Sequence, residues 1–522
     1  MFVPLTPIRC LYRAVDLFAG KIGVVSGDRQ FTYREFGQRC ERLAGALLRA
    51  GLQPGDRVAY LSFNNHQLLE GYFGVVMAQG VVMPLNVRLS LPEFVNILNH
   101  SGARFLLYEA DFAELVTNLK SVCPKIERYL LLDGEYEDFL STAEPARMDY
   151  MTVDENSIAE LFYTSGSTGT PKGVMLTHRT LYLHGLDVAL CYRQPETMVD
   201  LHTIPLFHAN GWGHPQASTM IGAKQVMVRR FEPCFVLGLI QQHRATDMSL
   251  VPTMANALLN CPTAGEYDVS SMRQIMIGGA ASSPELIARL EAAFHCDVYA
   301  GYGLTETCPV LTTGRPAIAD LDVPQEERLR KRAMAGRPIP GVEVCVFDAQ
   351  DQRVPQDGKS IGEVVARGDH VMAGYYLDTQ GTQAVIRDGW LHTGDMAVWD
   401  EENYIHIVDR KKEIIISGGE NISSLEVEKA VFAHPSVYEC AVVAAPDPKW
   451  GEIPVAIVVV KPGMKLSEEE LLTFLEGRLG RFKMPRRVEF REEQLPKTGT
   501  GKIRKNILRE PFWEGKERRV QG

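Results

Sequence analysis

Helix-like and strand-like stretches alternate along this chain, and no other feature narrows its fold as much. From Phe31 onward the order is "YREFGQRCERLAGALLRAG", "RVAYLS", "HQLLEGYFGVVMAQG", "VVMPL", "LPEFVNILNHSG" and "RFLLYE". Strands separated by helices of this length predict parallel sheets covered by helices. The pattern resumes after Gly222 with "KQVMV", "PCFVLGLIQQH", "DMSLVP", "RQIMIGG", "SPELIARLEAAFH" and "DVYAGYG", which predicts a second layered sheet. Between Gly341 and Asp409 the helical pattern vanishes and short strands remain, "VEVCVFD", "GEVVARG", "GWLHTGD" and "YIHIVDR", as in a small barrel or distorted sheet. After "DRKKE" the elements suit a compact α+β domain. The boundary is placed at Lys411 and Lys412, dividing 1–411 from 412–522.

With 522 residues, 45% of them apolar, the chain is long enough for more than one sizeable core. The net charge of −10 is spread along it, so no basic face invites nucleic acid and small-molecule partners are expected. Ten cysteines without a C-x-x-C pair predict reduced, packed thiols and a cytoplasmic protein. The first residues carry Arg9 and Arg13 within their apolar stretch, unlike a secretory signal, and no stretch approaches a membrane span. Nothing fixes the oligomeric state, and a homodimer is allowed.

"YTSGSTGTPKGVMLTH", Tyr163 to His178, packs Gly, Ser and Thr around one Lys, as a loop that grips phosphate oxygens does. It is not the G-x-x-x-x-G-K-[ST] loop, because Pro171 follows Gly166 by five residues and Gly173 follows Lys172. Nor does it fit G-x-G-x-x-G, since Gly166 and Gly169 lack the third glycine. The loop is expected between a strand, "IAELFY", and a helix, "RTLYLHGLDVALCYR".

Further clusters suit the rest of a nucleotide. "AGYGLTET" joins a glycine turn and the aromatic Tyr302 to Thr305 and Glu306, a hydroxyl and a carboxylate suited to phosphate and Mg²⁺. Asp395, ending "WLHTGD", could accept hydrogen bonds from ribose, with Arg410 as a second contact; a structural Asp–Arg pair fits the same residues.

Read in order, "TSGSTGTPKG", "GYGLTET", "HTGD", "GGEN" and "LPKTGTGKIRK" closely resemble the acyl-adenylate-forming superfamily over nearly the whole chain. The resemblance implies an acid–thiol ligase that uses ATP, Mg²⁺ and coenzyme A: a carboxylic acid becomes acyl-AMP with loss of pyrophosphate, then a thioester. It also implies a large α/β domain of two layered sheets with a barrel-like subdomain, followed by a small mobile α+β domain. Carried over by position, Thr164, Ser165, Gly166, Ser167, Thr168, Gly169 and Lys172 would clamp the β- and γ-phosphates. Gly278, Gly279, Ala280 and Tyr302 would frame the adenine, with Ala300 and Gly301 also binding the nucleotide and Gly278 also the acyl group, Thr305 the α-phosphate, Glu306 the Mg²⁺, and Asp395 and Arg410 the ribose. Lys502 would bridge the carboxylate and the α-phosphate, and Lys412 would be the hinge. "YYLDTQGTQAVIRDGW" departs from the family pattern and receives no chemistry.

"IPLFHANGWGHP" matches the family's acyl-tunnel segment, with His208 beside the reacting carboxylate and Trp212 deeper. Met220, Ile221, Met276, Ile277, Val310 and Leu311 complete an apolar lining without Arg or Lys, which favours an apolar monocarboxylic acid. The segment most resembles medium-chain fatty acid ligases; aryl and thioether acids fit it too. "ISGGENIS", with Ser417, Gly418 and Gly419, matches the pantetheine entry, and the short stretch after Lys502 favours free CoA over a carrier protein. A carrier-loading adenylation enzyme and a non-catalytic nucleotide sensor are the alternatives.

Overall fold

The structure is a computed structural model that describes residues 1–164, 171–191, 195–315, 323–417, 420–497 and 503–514, with backbone alone at Asn421. It divides into two units. The first comprises Met1–Val344, Ala366–His392 and Glu402–Ile405; the second comprises Cys345–Val365, Thr393–Glu401 and His406–Gly522.

The first unit holds two large sheets. One has seven strands in the order Gly374–Tyr375, Lys172–Thr177, Ile158–Thr164, Val81–Pro84, Arg57–Leu61, Phe105–Tyr108, Arg128–Leu131. The five last-named run parallel. Helix Tyr33–Arg49 begins with a capping box, Thr32 accepting from Glu35 N and Glu35 from Thr32 N. Helix His66–Met77 is apolar on nearly every side and buried throughout. A Cβ at Gly74 would lie 2.9 Å from Cys40 O, so only glycine lets these two helices pack this closely. The nine-stranded sheet runs Arg337–Pro338, Val310–Thr313, Asp297–Gly303, Gln274–Ile277, Asp247–Leu250, Val199–His202, Lys224–Met227, Ile22–Ser26, Arg29–Thr32.

Several expectations change. The hairpin Ile22–Ser26/Arg29–Thr32 joins the second sheet beside Lys224–Met227, although that sheet was expected only after Gly222. Lys172–Thr177 is a strand antiparallel to Ile158–Thr164, with Thr164 opposite Lys172. The Gly-rich segment therefore joins two strands, and helix His178–Cys191 starts only afterwards. Its second neighbour, Gly374–Tyr375, comes from 200 residues away, a tertiary pairing that the local sequence cannot announce. Helix Thr379–Val385 interrupts the stretch expected to lack helices; Asp378 Oδ1 accepts from Gly381 N at 2.7 Å and caps it. Cys234 and Cys261 form a disulfide, with Cα atoms 6.2 Å apart, because the start of helix Pro233–His243 lies against the end of helix Pro252–Leu259. The other eight cysteines are free thiols, most of them buried.

A five-stranded sheet runs Val342–Phe347, Gly362–Gly368, Trp390–Trp399, Ile386–Arg387, with Ile405–Arg410 paired to Trp390–Trp399. The second unit holds a sheet in the order Glu420–Ile422, Ile415–Ser417, Gly451–Val460, Val437–Asp447, with Arg487–Arg491 parallel to Gly451–Val460. Helices Ser424–Phe432 and Glu468–Leu475 close its core over Ile415, Val427, Val442, Val458 and Leu471. Among the described residues no helix is long and apolar enough to cross a membrane.

Candidate active site

In the first unit, strands Gln274–Ile277 and Asp297–Gly303 are parallel neighbours with Ile277 opposite Ala300. Gly278, Gly279 and Ala280 therefore leave the sheet beside Ala300, Gly301 and Tyr302, at the carboxyl ends of parallel strands where open α/β sheets bind ligands. A Cβ on Gly278 would stand 2.9 Å from Gly301 O and 3.0 Å from Trp212 Cη2, and Gly279 has φ of +75°. Only glycine fits there, because the indole lies on the turn. Thr305 and Glu306 occupy the short helical turn Thr305–Thr307, where Leu304 N donates to Thr307 Oγ1 at 3.0 Å.

Lys172 and Glu306 converge on a residue that sequence reasoning passed over. Lys172 Nζ stands 4.4 Å above the ring of Tyr375 and 3.8 Å from Asp378 Oδ2, and the Tyr375 hydroxyl donates to Glu306 Oε1 at 2.9 Å. The only sequence signal at Tyr375 was that its neighbourhood departs from the family pattern.

His208 is half-buried and opens a tight turn, its carbonyl accepting from Gly211 N at 3.2 Å. Ala209, Asn210, Gly211, Trp212 and Gly213 follow with φ of 45°, 57°, 51°, 61° and 80°. Five successive left-handed residues, three of them not glycine, cost about 1–2 kcal/mol for each non-glycine position. The surroundings hold the turn in place. His214, which follows it, pairs through Nδ1 with Asp200 Oδ2 at 2.9 Å in a fully buried setting. Burial works against both charges, yet each partner's charge prevails: Asp200 is held below the usual carboxylate range and His214 is raised. The buried ring of His184 lies under Gly213 and accepts from Val310 N at 3.1 Å through Nε2. Burial drives its pKa far down, so it is neutral with the proton on Nδ1.

Trp212 shares an apolar cluster with Val188, Ile204, Met276, Tyr299, Val310 and Ile339. Of the six lining residues expected, Met276 and Val310 share this cluster. Ile277, one residue on, faces the opposite core with Leu250 and Ile287, as strand alternation requires. Met220, Ile221 and Leu311 lie outside the Trp212 cluster as well. Arg315, a cation that the sequence reading did not place, has its guanidinium 5.8 Å from the Tyr299 ring centroid.

In the second unit Arg410 Nε lies 2.8 Å from Asp395 Oδ1, so the two proposed ribose contacts meet each other. Asp409 Oδ2 accepts from Ser424 Oγ at 2.7 Å, and Lys505 Nζ donates to Ser424 Oγ at 2.6 Å. Lys505 also pairs with Glu428 at 2.7 Å and Glu413 at 3.4 Å. Lys412 is exposed in the turn after strand Ile405–Arg410. Ser417 pairs with Glu420 where strands Ile415–Ser417 and Glu420–Ile422 run antiparallel. Ser165, Gly166, Ser167, Thr168, Gly169, Gly418, Gly419 and Lys502 lie outside the described residues.

The chain matches the AMP-binding enzyme model over residues 11–376 and the AMP-binding enzyme C-terminal domain over residues 426–502. It is 36% identical to 4-hydroxybutyrate–CoA ligase 2 of Metallosphaera sedula, covering 97% of this chain and 94% of that one. It is 39% identical to a long-chain-fatty-acid–CoA ligase of Thermus thermophilus, covering 96% and 94%. Among solved structures, ATP-bound MatB from Rhodopseudomonas palustris superposes with a TM-score of 0.85 at 29% identity, covering 97% of this chain and 99% of that one.

Proposed function

The chain belongs to the AMP-binding enzyme family, and from that membership we propose which acid it takes and which residues serve each step. It is an acyl-CoA synthetase, an AMP-forming ligase that activates a carboxylic acid with ATP and passes the acyl group to a thiol. A carboxylate is a poor acyl donor. Exchanging its oxygen for AMP, with pyrophosphate leaving, makes thiol attack feasible.

Lys172 and the loop before it receive the β- and γ-phosphates, Thr305 the α-phosphate, and the Gly278–Ala280 turn with Tyr302 the adenine. Asp395 and Arg410 hold the ribose, and His208 flanks the reacting carboxylate. Lys502 balances the charge that builds between carboxylate and α-phosphate. Glu306 is a hard oxygen donor of the type Mg²⁺ takes, and among the described residues no cluster of three metal-ligating side chains exists. Glu306 would be a protein ligand of the Mg²⁺ that accompanies ATP. When bound, the ion would neutralise phosphate charge. For the second step, residues 412–522 act as a mobile domain turning at Lys412, which withdraws Lys502 and brings Ser417, Gly418 and Gly419 to the pantetheine of CoA.

The acid is an apolar monocarboxylic acid of short to medium chain. The observation that carries this is Trp212 lying against Gly278 among Met276 and Val310, an apolar wall that limits depth. A second reading, an acid with a polar tail end, rests on Arg315 beside Tyr299 and on the likeness to a ligase named for 4-hydroxybutyrate. Pyrophosphate release across acids from acetate to palmitate, with benzoate, cinnamate and 4-hydroxybutyrate, separates them. Butyrate to octanoate should give the highest kcat/KM, and Trp212→Ala should move that optimum to longer acids by about tenfold in relative kcat/KM, roughly 1.4 kcal/mol. A parental preference for 4-hydroxybutyrate that Arg315→Met abolishes would establish the second reading instead.

A further inference from the structure

Lys172 and Glu306 carry opposite charges and meet the same tyrosine, yet each has a partner of its own. The ring face of Tyr375 is turned to the Lys172 ammonium, and its hydroxyl is turned to the Glu306 carboxylate. Asp378 supplies the counter-charge for the lysine. The tyrosine is placed by backbone on both sides. Tyr375 pairs with Val174 in the sheet, and Met372 N donates to the Glu306 carbonyl at 2.8 Å. The side chain is buried, and burial with the nearby carboxylate raises its phenol pKa, so the hydroxyl remains a donor throughout the neutral range.

A direct contact between the ammonium and the carboxylate would be stronger than a cation over a ring. It would also occupy both groups with each other. The lysine would have to leave it to meet a phosphate, and the glutamate would have to leave it to meet a cation.

Resting on the assignment of Lys172 to phosphate and Glu306 to Mg²⁺, we propose that Tyr375 is a positioning residue for adenylation: it separates the two charges, steadies the lysine with its face and fixes the carboxylate rotamer with its hydroxyl. The stretch from Tyr375 to Asp378, which departs from the family pattern in sequence, thereby acquires a role. One oxygen of Glu306 is committed to the phenol and the other is left for the ion.

The test is ATP binding by the full chain, measured by calorimetry in EDTA and then across a Mg²⁺ titration. Tyr375→Phe keeps the ring and removes the hydroxyl. It should leave ATP affinity in EDTA within about twofold of the parent and raise the Mg²⁺ needed for half-maximal tightening about tenfold, the order carried by one charge-assisted hydrogen bond. Tyr375→Leu removes the spacer. ATP affinity in EDTA should fall about tenfold, and adding Glu306→Gln, which abolishes the competing ion pair, should restore it to within about twofold. A merely structural role for the ring gives no such rescue. An unchanged Mg²⁺ requirement in Tyr375→Phe overturns the proposal, as does a Tyr375→Leu affinity that is unchanged or falls without rescue; should the leucine variant not fold, the phenylalanine variant decides alone. A parent that fails to bind ATP, or a Glu306→Gln variant with parental Mg²⁺ dependence, overturns the underlying assignment instead.

Discussion

The two units differ in part of what they keep inside: beside ion pairs such as Asp200–His214, the first also holds buried groups that carry no charge. The first buries imidazoles without charge: burial lowers His178 to about 4, and burial with Arg39 and Arg29 lowers His66 to about 3. Glu160, buried with Gln216 Nε2 donating to it, has its pKa pushed far up by burial. The second buries charge in pairs. Lys505 is nearly enclosed, and although burial opposes its charge, Glu428 and Glu413 raise its pKa. Buried neutral imidazoles are sensitive to acid, a buried neutral carboxyl to alkali, and a paired charge to loss of its partner, so the same chain has different weak points.

Lys505→Met probes the second unit most severely. Leaving Glu428 and Glu413 part-buried without their cation, Glu428 keeping only the hydrogen bond from Val442 N, should cost about 3 kcal/mol. Hydrogen exchange should show lost protection in strands Val437–Asp447 and Gly451–Val460, with helix His66–Met77 unaffected. Equal loss in both units would break the comparison.

Acid probes the first unit. His178 takes a proton at about 6.5 when unfolded but only at about 4 when folded. The unfolded state therefore gains protons first as pH falls, and stability should drop by about 3 kcal/mol between pH 6.5 and 4 from this residue alone. Lys505 behaves with the other sign. Its raised pKa contributes fully below about 10.4 and is lost as pH rises through the folded value. Urea unfolding monitored by hydrogen exchange should show the first unit failing in acid and the second in alkali; one shared pH profile would refute the contrast.

The smallest effect sharpens it within one unit. Lys483 pairs with Glu426 at 2.7 Å, the same chemistry as Lys505 with Glu428, but Glu426 is largely in water. Lys483→Ala should cost less than about 1 kcal/mol by denaturant midpoint. A loss comparable to Lys505→Met would show that burial is not what separates the two pairs.

Element types were legible in the sequence where the local pattern was clean, as in Tyr33–Arg49, which buries one face, or in the short apolar run Gln274–Ile277, which is buried on both. Strand Lys172–Thr177, helix Thr379–Val385 and the partner strand of Ile22–Ser26 were not, since their hydrogen bonds or caps depend on distant chain. In the candidate site, residues that would touch ligand were marked by motifs: Glu306, Lys172, Asp395. Residues that hold those in place carry no motif. Tyr375, His184, Asp200 and Lys505 are ordinary letters until the fold brings an aromatic ring, a backbone amide or an opposite charge within 3–5 Å of them.

The turn from Ala209 to Gly213 has a stereochemical consequence. Its backbone has the hand natural to a D-peptide, and ribosomal synthesis offers just one achiral residue with which to write such a stretch. Glycine fills two of its five places and Asn210, among the side chains most tolerant of this hand, a third. Ala209 and Trp212 remain as L-residues in a mirror-image setting. For Trp212 the inversion also sets the direction of the side chain: it leaves the backbone as a D-residue's would not, and so the wall over Gly278 is built by a configuration that the local chain resists.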